Sequence, residues 1–158
     1  MSNTIILQFS TSKEWSSMVI RRMTHSPFSH VDVAMDGGLF GASDPGGVMW
    51  RRIDYQVFGI RQNLVLHTDV ADLFHTLLRA ERGKPFDGSA LWSFMSEEVR
   101  DWRRPDKWFC SELVLDCLDR AGFFPYKIII PKNRVSAADL LLLLNPYINA
   151  DTFTVPVS

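Results

Sequence analysis

The chain has 158 residues, 46% of them apolar and 22% charged, which suits one compact domain spanning 1–158 and leaves too little chain for a second. With 17 basic against 18 acidic residues the formal charge is -1, so no long-range field draws the protein to nucleic acid or to an anionic membrane. No apolar run reaches the roughly 18 residues of a membrane span, and the N-terminus lacks the basic start and apolar core of a secretory signal. A cytoplasmic protein without stable membrane insertion is therefore expected.

Thr4 to Ser10 reads as a first strand. Thr11 with Glu14 three residues on makes a capping-box pattern, and Trp15, Met18, Val19 and Met23 recur at helical spacing, which predicts an amphipathic helix over 12–24, ended by Pro27. Phe28 to Met35 alternates like a strand. Asp36-Gly37-Gly38 then supplies turn chemistry into a short strand at Leu39 to Ala42, and Asp44-Pro45-Gly46-Gly47 turns into Val48 to Ile53. Asn63 to His67 reads as a further strand, all of these being antiparallel neighbours. Helices are expected at Asp69 to Arg82, stopped by Gly83, at Ser89 to Val99, and at Ser111 to Arg120, stopped by Gly122. Ser136 to Leu144, with five leucines in a row, reads as a buried terminal helix. Strands first and helices later predict an α+β domain, an antiparallel sheet with helices packed on one face.

Lys107 to Val114 places Cys110 where an aromatic-rich segment becomes a helix. The first-turn N–H groups of a helix lack intrahelical partners and carry the positive end of its dipole, so they favour a thiolate there. The backbone N–H of Cys110 can then serve an oxyanion. Cys117, seven residues on, lies on the same helix face about 10 Å away, too far for a disulfide, so both cysteines are expected as thiols and Cys117 as core packing. A thiolate nucleophile needs a base that returns its proton to the leaving group, which imidazole does near neutral pH. Among four histidines, His30 has the most rigid setting, on the strand Ser29 to Met35. His25 precedes a turn, His67 ends a strand and His75 sits within a helix. No close-spaced zinc pattern and no phosphate-loop frame occurs, so neither metal nor cofactor is expected.

Ser29-His30-Val31 on a strand, followed much later by Phe109-Cys110-Ser111-Glu112-Leu113-Val114 opening a helix, resembles the circularly permuted papain-like hydrolases of the NlpC superfamily. Their permuted branch includes the YiiX-like and lecithin retinol acyltransferase groups. Gly83-Lys84-Pro85-Phe86-Asp87 is similar to a segment of YiiX-like proteins, and the resemblance spans roughly 28–116. It implies a small curved or barrel-like sheet in a permuted papain-like domain, with Cys110 as nucleophile and His30 as base. It also implies a polar residue on the next strand to orient the imidazole. Counting across the turn brings Ala42 near that place. Asp44 is the first choice for the role and Ser43 the second. Asp32, which shares a strand face with His30 by the two-residue period, is the third. The implied function is a cysteine hydrolase or acyltransferase acting on an amide, ester or thioester of a peptide-like or acyl substrate. The competing readings are a catalytically inactive papain-like binding module and a structural component of a larger assembly. An exposed apolar patch on Trp15, Trp50 or Trp102 favours the last of these.

Overall fold

The computed structural model describes residues 2–88, 107–148 and 153–154. Among the described residues six strands form one antiparallel sheet: β1 (Thr4–Ser12), β2 (His30–Met35), β3 (Gly38–Ser43), β4 (Gly47–Arg51), β5 (Phe58–His67) and β6 (Phe153–Thr154). They lie in the order β4-β3-β2-β1-β5-β6. The sheet is open, with β4 and β6 at its edges, so the expected curvature stops short of a closed barrel.

Alternation fixes which residues share a face. Leu7 lies opposite Val33 and Leu64, and Phe9 opposite Val31, so these apolar residues build one continuous buried layer. Between them, Gln8 faces Asp32 and Asn63, while Ser10 faces His30. The β2–β3 hairpin closes through Asp36 and Gly37, both left-handed (φ 52° and 72°), the paired conformation a two-residue loop requires.

Four helices are described: α1 (Trp15–Thr24), α2 (Ala71–Ala80), α3 (Cys110–Arg120) and α4 (Ala137–Leu144). Helix α3 packs across β2 and β3 with α2 beside it, burying Leu113, Val114, Cys117 and Leu118 completely. Each fully buried aliphatic side chain contributes about 1.5–3 kcal/mol, so this helix is held chiefly by its apolar face. No described helix is long and apolar enough to cross a membrane.

Several expectations need correction. β1 runs on to Ser12 through an irregularity between Ser10 and Ser12, which takes Thr11 into the strand. Thr11 therefore caps nothing: α1 starts at Trp15 with Glu14 at its N-cap and no side-chain cap. β5 begins at Phe58 rather than Asn63, because its first half pairs with the end of β1. The leucine run is only partly core, with Leu140 and Leu144 buried but Leu142 73% exposed. The expected helix at Ser89 to Val99 lies outside the described residues.

Candidate active site

His30 opens β2 and Cys110 is the first residue of α3, whose N-terminal end lies over the start of that strand. The entry to α3 is fixed from outside the helix. The N–H of Trp108 donates to the Pro85 carbonyl and the N–H of Asp87 to the Trp108 carbonyl, so residues 85–87 clasp the chain just before the cysteine. The same segment grips the edge of β4, with Val48 N–H donating to the Lys84 carbonyl and Gly83 N–H to the Val48 carbonyl. Gly47, left-handed at φ 72°, lies so close to Lys84 that a Cβ there would overlap its carbonyl. Trp108 is pinned in turn by its indole N–H, which donates to Glu81 at 2.8 Å. The Gly83-Lys84-Pro85-Phe86-Asp87 segment thus joins the sheet edge to the helix that carries the cysteine.

Around the imidazole the partners come from two directions. Asp32 Oδ2 lies 3.0 Å from His30 Nε2, and the Tyr55 hydroxyl is 3.2 Å from the same nitrogen and 3.0 Å from the same carboxylate oxygen. Asp32 is 1% exposed, and among the described residues its Oδ1 has no hydrogen-bond partner. That oxygen lies against Gly41 on β3, where a Cβ would overlap it. The absence of a side chain at position 41 is what lets the carboxylate lie flat over the neighbouring strand.

Cys110 lies beside the imidazole, close enough to bear on its charge, and the two line one pocket. With Nε2 taken up by Asp32 and Tyr55, Nδ1 is the nitrogen left for the thiol. Burial works against protonation of His30, but the charges and hydrogen bonds of Asp32 and Cys110 outweigh it and hold the imidazole well above its ordinary value. Burial, followed by the Asp32 charge, pushes the Tyr55 phenol up, so its hydroxyl keeps its proton. Cys117, at the back of the same helix, is pushed up to about 12, first by burial and then by Asp116. Both cysteines are free thiols.

A pocket of about 260 Å³ opens onto Cys110 and His30, its walls including Ser12, Glu14, Ser17 and Asp44. The oxygens bound to the imidazole are those of Asp32 and Tyr55. Asp44 and Ser43 line the pocket, and Ser43 also reaches the Tyr55 hydroxyl. The two-residue period that put Asp32 on the face of His30 is thus the one that brings a carboxylate to the ring. Tyr55 escaped the sequence reading because it stands in the β4–β5 connection, where no periodic pattern marks it. His25 and His67 are exposed, and His75 lies on α2. Trp50 is 39% exposed on β4, Trp15 is the first residue of α1, and Trp102 lies outside the described residues. Cys110 is 1% exposed, more closed over than a nucleophile on an open loop.

Fold and site together define a class, an α+β domain in which a cysteine opening a helix meets a histidine on an adjoining antiparallel strand. A solved structure of that fold is described as the metalloprotein yiiX from Escherichia coli O157:H7. It matches with a TM-score of 0.57 and 16% identity over 99% of this chain and 97% of that one. The fold is therefore YiiX-like. No family model and no curated protein matches the sequence. Among the described residues, no group of three or more His, Cys, Asp or Glu side chains is placed to hold a metal ion.

Proposed function

We propose that this protein is a cysteine-dependent hydrolase or acyltransferase of the permuted papain-like type. The observation that carries this reading is the line Cys110, His30, Asp32, with the imidazole held toward its protonated form between a thiol and a buried carboxylate. In the proposed reaction the Cys110 sulfur attacks the carbonyl carbon of an amide, ester or thioester, and its proton passes to His30. The Cys110 N–H, at the start of α3, helps to hold the oxyanion. Collapse breaks the bond to the leaving group, which takes the proton from His30. Water or another acceptor, deprotonated by His30, then attacks the thioester and frees the thiol. Asp32 keeps the imidazole oriented throughout. A pocket whose walls set hydroxyls, Glu14 and Asp44 beside Ile20, Phe86 and Phe109 suits a peptide-like or acyl group with both polar and apolar parts. The YiiX-like fold supports this reading.

The test is the acyl-enzyme. Treated with p-nitrophenyl acetate, the protein should release a burst of nitrophenolate and carry an acetyl group on the Cys110 peptide. Cys110→Ala should abolish both. Cys117→Ala should keep both while lowering stability by about 1–3 kcal/mol through loss of a buried sulfur. Acetylation of the two cysteines to equal extents, or none at Cys110, overturns the proposal.

A further inference from the structure

The Tyr55 hydroxyl sits at the corner of a triangle with His30 Nε2 and Asp32 Oδ2. We infer that Tyr55 is a positioning residue of this site, one that fixes the Nε2–H tautomer of His30 and clamps Asp32 in place, so that Nδ1 is kept free for Cys110. The inference rests on the Cys110–His30 reading.

A count of protons carries it. Tyr55 has one hydroxyl proton, and an ionised carboxylate can only accept, so that proton goes to Asp32. Toward His30 the phenol oxygen must then accept, which requires the hydrogen on Nε2. Asp32 Oδ2 makes the same demand from 3.0 Å. Two acceptors meeting at one nitrogen keep a hydrogen on Nε2 in either protonation state, so the proton that His30 exchanges is the one on Nδ1, on the side of the thiol. The clamp matters because Asp32 is otherwise poorly held. Among the described residues, its Oδ1 has no partner, and its Oδ2 meets only His30 and Tyr55.

The ring of Tyr55 is itself braced. Phe58 meets it edge-on at 5.5 Å, the Arg51 guanidinium lies 5.5 Å from its centroid, and Gln56 Nε2 donates to its oxygen at 3.3 Å. The groups facing His30 are thus Asp32 from its own strand, Tyr55 from the β4–β5 connection and Cys110 from α3. Arg51 and Ser43 stand behind Tyr55, and Ser10 is opposite on β1. Glu14 and Asp44 line the pocket beyond. Losing the hydroxyl removes an acceptor from the imidazolium and the clamp that holds Asp32 against it, and both changes disfavour the thiolate–imidazolium pair.

The experiment is the pH profile of Cys110 carbamidomethylation by iodoacetamide, read by peptide mass spectrometry, in the wild type and in Tyr55→Phe. The wild type should react readily at pH 6. Tyr55→Phe should react about 3- to 10-fold more slowly there, the effect of one hydrogen bond, with the two rates converging at alkaline pH. A purely structural role would instead lower the melting temperature and leave the profile in place. Superimposed profiles on a reactive wild type overturn the role of Tyr55 alone. A wild type that does not react at pH 6 overturns the Cys110–His30 pair and this inference with it. Ring-nitrogen NMR shifts of His30 in the wild type, read above the pH at which the imidazolium loses its proton, give a second reading that does not depend on the variant folding, and a neutral ring protonated at Nδ1 overturns the inference.

Discussion

Replacing Asp32 by Asn keeps the shape of the side chain and removes its charge, which isolates what the carboxylate does for His30. At the 3.0 Å separation of Nε2 and Oδ2, the gross attraction in an effective dielectric of about 20 is about 5.5 kcal/mol. Desolvation of a buried pair offsets much of that. If about half remains, ~2.7 kcal/mol, the population of imidazolium paired with thiolate falls roughly 100-fold. An Asn side chain can also turn its amide toward Nε2 and select the wrong tautomer, which adds to the loss. The assay is the iodoacetamide rate at Cys110 at pH 6, with Asp44→Asn as the comparison, expected to stay within about twofold of wild type since it leaves the partners of the ring untouched. Stability supplies a second signature. His30 is raised above 6.5 in the folded protein, so its pairing stabilises the fold fully below that value and ceases to do so as pH climbs through the folded value. The stability gap between wild type and Asp32→Asn should therefore be widest below about pH 6.5 and narrow as pH rises through the folded value. An alkylation rate unchanged in Asp32→Asn, or slowed only in Asp44→Asn, would refute the reasoning.

Two other substitutions probe the surroundings. Gly41→Ala puts a Cβ where the Asp32 carboxylate lies. It should cost about 1–3 kcal/mol in urea unfolding through overpacking and slow Cys110 alkylation at pH 6 without removing any charge, whereas wild-type reactivity would show that the carboxylate is not needed where it lies. Glu112 is raised from 4.5 to about 7, first by burial and then, against the Phe109 N–H, by Asp87 and Asp116. The folded state therefore holds a proton that the unfolded chain has released, and stability declines as pH rises from 4.5 to 7. Glu112→Gln should be about 1–2 kcal/mol more stable than wild type at pH 8, after allowance for solvent screening, and equal to it near pH 4. Urea unfolding at the two pH values checks this.

The elements legible in the sequence were those whose cause is local. The Asp36-Gly37-Gly38 turn, the alternation of β2 and the glycine that ends α3 all act within a few residues, and each lies where its pattern put it. Thr11 and Glu14 misled because pairing with β5 carries β1 past the point where local capping chemistry would start a helix. The leucines of α4 misled for a related reason, since residue type alone does not say which side of a short helix has a neighbour. In the site, Asp32 could be read from spacing but ranked low, because whether its carboxylate fits there depends on Gly41 of the next strand. Tyr55 belongs to a connection whose path over the sheet is set by tertiary contacts, so only the assembled structure reveals it.

The clasp made by residues 83–87 has a consequence for how such a chain can vary. Its bonds to β4 and to Trp108 run through main-chain atoms, so the depth at which Cys110 sits is set by backbone register on both sides of the 88–107 interval. Changes of even one residue within 83–87 would displace the cysteine. In a lineage built this way the clasp should tolerate exchange of side chains and resist change in number.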